Sequence, residues 1–146
     1  MRQSLTFPLA PLFLLVALAT PGFSQAPAEA VTRAPGELEW TEIVPGASFG
    51  GVYGDWSAEA HGKLARFAPG FASPVHTHTH AYHAVVVSGT VSNPYPGEES
   101  PPEMGPGEYW FTPAGAAHVT SCVSAEPCLI YTHMDAAWDI EIAEGP

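Results

Sequence analysis

The stretch GFASPVHTHTHAYH, residues 70–83, places four histidines within eight positions. In a β-strand, side chains two residues apart point to the same face of the sheet. His76 and His78 can therefore present their imidazoles side by side, which suits two nitrogen ligands of one metal ion. His83 has the opposite parity, so it can join them only where the chain bends or bulges ahead of it.

A second stretch, GEYWFTPAGAAH at residues 107–118, ends on another histidine. The sequence Pro113-Ala114-Gly115 favours a tight turn, because proline fixes its backbone angle and glycine tolerates a left-handed one. This turn leads His118 onto a new β-like run.

Together the two stretches resemble the two sequence motifs of the cupin superfamily. The first motif, G-x5-H-x-H-x4-E-x6-G, matches at Gly70, His76 and His78, with His83 at the glutamate position and Gly89 one residue early. The second motif, G-x5-P-x-G-x2-H-x3-N, matches at Gly107, Pro113, Gly115 and His118, with Cys122 in place of the asparagine. The resemblance covers residues 70–122. It implies an all-β, single-domain cupin, a small antiparallel β-barrel or jelly roll with its site inside near one mouth.

In cupins that match these motifs, a metal ion is held by the histidines and the glutamate. Carried over by position, the resemblance implies His76, His78, His83 and His118 as ligands of one divalent first-row ion: zinc, copper, iron, nickel or manganese. Four neutral imidazoles leave the charge of that ion uncompensated, which favours the lower oxidation state of a redox metal and a more acidic bound water. If His83 is not a ligand, a three-histidine site with open positions suits catalysis equally well.

The chain from Leu38 onward has the pattern of an all-β domain, which we place at residues 38–146. Short β-like runs alternate with turn signals such as Pro69-Gly70 and Ser88-Gly89, as in a sandwich or barrel. The predicted strands are Leu38–Val44, Ser48–Tyr53, Ala58–Phe67, Val75–Thr79, Tyr82–Val91, Glu108–Thr112, Ala117–Val123, Leu129–Met134 and Trp138–Ile142. Residues 93–107, rich in proline and glutamate, are predicted to form a loop over one rim.

The first 26 residues have the layout of a secretory signal peptide. Arg2 precedes an apolar run and then small residues, the order of a signal's charged, hydrophobic and cleavage regions. Cleavage after Ala26 and cleavage after Ala30 are both compatible with the sequence. Residues 27–37 follow as a linker without a pattern. We therefore expect an exported protein, periplasmic or secreted, with no membrane span in the mature chain.

The charge balance excludes nucleic acid as a partner. The 146 residues include 15 carboxylates, four lysines or arginines and seven histidines, with a formal net charge of −11. A phosphate-backbone binder needs a basic stripe, and Arg2, Arg33, Lys63 and Arg66 cannot form one.

The two cysteines, Cys122 and Cys128, flank a turn-rich loop of five residues. Export to an oxidising compartment favours a disulfide between them. The alternative is that Cys122, which shares the parity of His118, faces the site as a thiolate. If the cysteines lie directly opposite each other, His133 points outward, and a slip of one residue turns His133 toward the site.

Several further side chains are candidates for the pocket or for contacts behind the ligands: His80, Cys122, His133, Tyr82, Trp110 and Tyr131. Aromatic walls would suit a small, largely apolar substrate with one or two oxygen atoms that bind a metal. His61, beside Lys63 in a run expected at an edge, is assigned to the surface.

Two functional classes fit the sequence. The first is a mononuclear metal-dependent enzyme, such as a dioxygenase, an isomerase or a lyase, that acts on a small chelating substrate. The second is a non-catalytic periplasmic or secreted protein that buffers or senses metal or binds a small ligand. The fold does not choose between them. A homodimer is compatible with either class.

Overall fold

The computed structural model describes residues 30–143. After one turn of 3-10 helix, Pro35–Glu37, the chain forms eleven strands. They are β1 (Trp40–Val44), β2 (Ala47–Tyr53), β3 (His61–Phe67), β4 (His76–Thr77), β5 (Tyr82–Ser88), β6 (Val91–Ser92), β7 (Glu103–Met104), β8 (Tyr109–Thr112), β9 (Ser121–Cys122), β10 (Cys128–Met134) and β11 (Glu141–Ile142).

The strands form three antiparallel sheets. The largest has six strands in the order β1-β2-β3-β10-β5-β8, and the others are β7-β6-β9 and β11-β4. Their inner faces enclose one core, so the predicted all-β fold is confirmed. Within residues 30–143, no helix is long and apolar enough to cross a membrane.

Alternating burial along β10 shows which face of the large sheet is inside. Cys128, Ile130, Thr132 and Met134 are buried, whereas the residues between them are only half-buried. This period of two follows from the pleat of a strand that is paired on both sides, here with β3 and β5. Side chains on the inner face of these three strands therefore reach the interior of the barrel.

Strand positions agree with the sequence pattern in most places, and three local differences have simple causes. The run predicted as Tyr82–Val91 is two strands, because the chain turns at Gly89 with φ +81°. The predicted loop 93–107 contains β7, which pairs with β6 and buries Met104. The linker contains the turn of 3-10 helix. The predicted signal peptide, residues 1–26, lies outside the described residues.

The structure joins Cys122 and Cys128 in a disulfide, with their Cα atoms 5.6 Å apart. Cys122 pairs with Val91 in the three-stranded sheet, and Cys128 pairs with Phe67 in the six-stranded sheet. The bond therefore links two sheets rather than two strands of one hairpin. Cys122 has no thiolate to offer the site, which corrects the alternative assignment.

Candidate metal centre

Three histidines meet inside the barrel. The backbones of His76 and His118 exchange two N–H to O hydrogen bonds of 2.9 Å, which places their rings side by side with centroids 4.3 Å apart. His78 lies two residues along, with its ring centroid 4.9 Å from that of His76 and 5.3 Å from that of His118. One nitrogen of each ring lies within 4.8 Å of the others, so the three could hold a metal ion.

Backbone carbonyls set the tautomer of all three rings. The Nδ1 atoms of His76 and His118 lie 2.9 Å from the carbonyl oxygens of Pro74 and Ala116, and Nδ1 of His78 contacts the carbonyl oxygen of Asp139. A carbonyl can only accept, so each Nδ1 carries the proton and each Nε2 keeps its lone pair. Metal-ligating histidines are oriented in the same way. The donor set therefore fits a divalent transition metal.

Burial keeps these imidazoles neutral at pH 7. Desolvation lowers the pKa of His76 and of His118, and it lowers the pKa of His78 to about 4. A buried imidazolium is disfavoured because the interior cannot solvate its charge. All three rings are therefore in the protonation state that a metal requires.

His83, the fourth ligand that the resemblance implied, is not part of this group. It is exposed on the outer face of β5, where its Nδ1 lies 2.8 Å from the Tyr109 hydroxyl and its ring stacks against the ring of Tyr109. The strand runs without a bulge from Tyr82 to Val85 opposite β8, so its parity is preserved. The expectation that His83 is a ligand is wrong.

Tyr82 occupies the place predicted for His83. Its buried hydroxyl lies 3.1 Å from Nε2 of His118, to which it donates, because Nδ1 of that ring already carries the proton. Nε1 of Trp110 donates to the same hydroxyl at 3.4 Å. Burial raises the pKa of Tyr82, so its hydroxyl is protonated at pH 7. Spacing is the signal that could have identified it, since six residues separate Tyr82 from Gly89, as the motif requires after its glutamate.

The three-histidine group borders an apolar cavity of about 510 Å³. His76, His78 and Tyr82 form part of its wall. Most of the remaining lining is hydrophobic, with Phe49, Phe67, Phe71, Ile130, Met134 and Trp138 among the largest side chains. Such a cavity suits a small ligand with an apolar body.

Two polar side chains of β3, His61 and Lys63, also face the interior. His61 is 0% exposed and Lys63 is 3% exposed, and Lys63 lines the cavity. The assignment of His61 to the surface is therefore wrong, because β3 is not an edge strand but is paired on both sides, with β2 and β10. A signal was present in the sequence, since Ala65 and Phe67 share their parity and mark the inward face.

Lys63 has an unusual environment for a lysine. Its Nζ lies 3.1 Å from Nε2 of His61, and it stands over the rings of Phe49 and Trp138, 4.8 Å and 5.1 Å from their centroids. Burial lowers the pKa of Lys63 to about 7, because the apolar wall solvates an ammonium poorly.

Four other pocket candidates lie away from the cavity wall. His80 is exposed in the bend between β4 and β5. Trp110 is buried behind Tyr82. Tyr131 and His133 face outward from β10, and Nδ1 of His133 lies 2.6 Å from the hydroxyl of Tyr53. Of the two directions that the sequence left open for His133, the structure shows the outward one. The pairing that sets it is that of β10 with β3 and β5, not with the strand of Cys122.

Several solved structures share this fold, and some of them are described as cupins. The polyketide cyclase RemF from Streptomyces resistomycificus is 17% identical, with a TM-score of 0.66, and the match covers 81% of this chain and 88% of that chain. A sugar phosphate isomerase of the cupin superfamily from Silicibacter pomeroyi is 15% identical, with a TM-score of 0.62 over 79% and 83% of the two chains. An RmlC-like cupin from Shewanella frigidimarina is 21% identical, with a TM-score of 0.59 over 74% and 93%. These likenesses confirm the cupin fold.

No curated protein matches the sequence. One family model does match, from residue 24 to residue 141, and it is described as a domain of unknown function, DUF4437. The match includes every strand named above except the last residue of β11, and it contains all three histidines of the candidate metal centre. The chain therefore belongs to the DUF4437 family, and its fold is that of a cupin.

Proposed function

We propose that this protein is a metal-dependent enzyme that acts on a small, largely apolar substrate. It binds one divalent first-row transition metal through Nε2 of His76, His78 and His118, and the Tyr82 hydroxyl gives up its hydrogen bond to His118 when the metal binds. The observation that carries the proposal is a group of three buried, neutral imidazoles, of which those of His76 and His78 line an apolar cavity of about 510 Å³. Structural metal sites are closed by four protein ligands, whereas catalytic sites keep positions for substrate or water.

The residues around the three histidines support chemistry at an oxygen atom of a bound molecule. A divalent ion at this position would polarise that oxygen. The Tyr82 hydroxyl, 3.1 Å from Nε2 of His118, can give a proton there. Trp138, whose ring centroid lies 6.0 Å from that of His78, helps to exclude water from the same space.

The named neighbours and the disulfide support two parts of the proposal. A polyketide cyclase and a sugar phosphate isomerase share the fold, so an isomerase type of reaction is our preferred class. Export of the protein, which we also propose, agrees with the disulfide between Cys122 and Cys128, because such bonds persist in oxidising compartments.

Metal content tests the centre directly. Wild type, His118→Ala and the matched control His83→Ala would be purified from an exported preparation and measured by elemental analysis, with circular dichroism to check folding. We expect about one metal per chain in wild type and in His83→Ala, and less than a tenth of that in His118→Ala. If His118→Ala does not fold, His76→Gln replaces it.

Two outcomes would contradict this part of the proposal. One is a wild-type protein that takes up no metal, either from its compartment or when zinc, copper, nickel, iron or manganese is supplied. The other is loss of metal in His83→Ala to the same extent as in His118→Ala. If the protein does bind metal, metal-dependent conversion of a small oxygen-bearing substrate would distinguish an enzyme from a protein that only stores metal.

A further inference from the structure

Lys63 is a buried cation without an acidic partner. Among residues 30–143, it is the only Lys, Arg, Asp or Glu that is buried. The one ion pair in that part of the chain joins His133 to Asp135 on the outer surface. A buried charge is costly unless a counter-charge compensates it, and this chain has 15 carboxylates from which to supply one.

The contacts of Lys63 stabilise its ammonium only in part. Nδ1 of His61 lies 3.0 Å and 3.1 Å from the carbonyl oxygens of Glu59 and Ala136, so that nitrogen carries the proton. Nε2 of His61 therefore accepts a hydrogen bond from Nζ of Lys63. This imidazole holds the amine in one position and brings no negative charge. The faces of Phe49 and Trp138 add attraction for a cation.

Lys63 and the candidate metal centre face the same cavity. Lys63, His76 and His78 all line it. The ring of Trp138 is close to both sites, with its centroid 5.1 Å from Nζ of Lys63 and 6.0 Å from the ring centroid of His78. A small molecule in this cavity can therefore contact both sites.

We infer that Lys63 binds the carboxylate of the substrate, and that the substrate class is small monocarboxylic acids with an apolar body. The negative charge comes from the ligand rather than from the protein, which explains why no acidic side chain accompanies the lysine. The single ammonium at this site matches one negative charge on the ligand, and the apolar wall around it matches an apolar body. The inference extends the proposed function, although the lysine site itself does not need the metal.

Two probes that differ only in charge test the inference. Binding of 3-phenylpropanoate and of 3-phenylpropanamide would be measured by calorimetry at pH 6.5, with chelator-treated and with zinc-loaded protein. A hydrogen bond to a charged group favours its partner by about tenfold or more over a neutral analogue. We therefore expect wild type to prefer the carboxylate by about tenfold in both forms.

Two variants locate that preference. Lys63→Met removes the buried charge at similar volume, and in chelator-treated protein it should reduce the preference to within about twofold. Arg66→Met removes a positive charge from the exposed face of the same strand, and it should keep the tenfold preference. If Lys63→Met does not fold, Lys63→Gln replaces it, since its amide can still donate to His61.

The result that would overturn the inference is a wild type with no preference for the carboxylate, including one that binds neither probe. A Lys63→Met protein that keeps the preference would overturn it as well. Elemental analysis of the same samples measures whether the protein binds metal, so the metal proposal is tested independently of the preference for the carboxylate. A preference that depends on Lys63 in a protein that never binds metal would support the anion site and refute the metal centre.

Discussion

Replacing Lys63 with methionine should change how the stability of the protein depends on pH. Burial lowers the pKa of Lys63 from 10.5 to about 7 in the folded state. Between these two values the unfolded chain binds a proton that the folded chain has released, so the free energy of unfolding increases as the pH rises. Integrated from pH 7 to pH 9, this linkage amounts to about 2 kcal/mol.

The assay is urea unfolding followed by tryptophan fluorescence at pH 7, 8 and 9, with chelator present and the disulfide intact. Wild type should gain at least about 2 kcal/mol across this range, and Lys63→Met should change by less than about 1 kcal/mol, the part that the buried histidines contribute. Arg66→Met is the matched control, because it removes an exposed charge from the same strand, and it should behave as wild type. The range stops at pH 9 because the raised pKa of buried Tyr82 acts in the opposite direction at higher pH.

A wild-type protein whose free energy of unfolding stays constant from pH 7 to pH 9 would refute the reasoning about Lys63. The same conclusion would follow if Lys63→Met kept the full slope, because another group would then be responsible. A slope that vanished in Arg66→Met as well would point to net charge rather than to burial.

Three further predictions concern the metal-free protein. Because burial lowers the pKa of His78 to about 4, stability that is complete above pH 6.5 should decrease by about 3 kcal/mol as the pH falls through 4, measured as the urea midpoint. Reducing the bond between Cys122 and Cys128 should cost about 2 kcal/mol in the same assay and leave the uptake of added zinc unchanged. Tyr82→Phe should cost about 1 kcal/mol by removing the hydrogen bond to His118, and it should still take up one zinc ion.

Each of these predictions has an opposite outcome. A urea midpoint that does not change between pH 6.5 and pH 4 would mean that His78 is not buried as a neutral ring. Loss of zinc on reduction would tie the metal centre to the disulfide. A Tyr82→Phe protein without zinc would make the phenol an essential ligand rather than a neighbour of the three histidines.

The shared role of His76, His78 and His118 could be predicted because it depends on local rules. Alternation along a strand places His76 and His78 on one face, and the turn at Pro113 starts the segment that brings His118 opposite His76. Most strands could be placed in the same way, since turn residues separate runs that are rich in β-branched and aromatic side chains.

The prediction of His83 as the fourth ligand is wrong because of the bend that precedes β5. Which side chain of β5 faces inward depends on the number of residues in that bend. The motif places four residues between His78 and the fourth ligand, which points to His83. In the structure, strand β5 begins with Tyr82, and it is Tyr82 that faces inward. Single-sequence spacing does not show how many residues a bend consumes. Only pairing of β5 with β8 and β10 settles that register.

By itself, the sequence determined the fold class and the side-by-side arrangement of two histidines, because both follow from short-range alternation and turn chemistry. Only the tertiary structure decided that Lys63 faces the cavity with these histidines and that His61 is buried beside it. Their position depends on pairing of β3 with strands on both sides, including β10, which lies more than sixty residues away in the chain. Long-range strand pairing creates the interior of the barrel, and burial there lowers the pKa of Lys63 and of the three histidines.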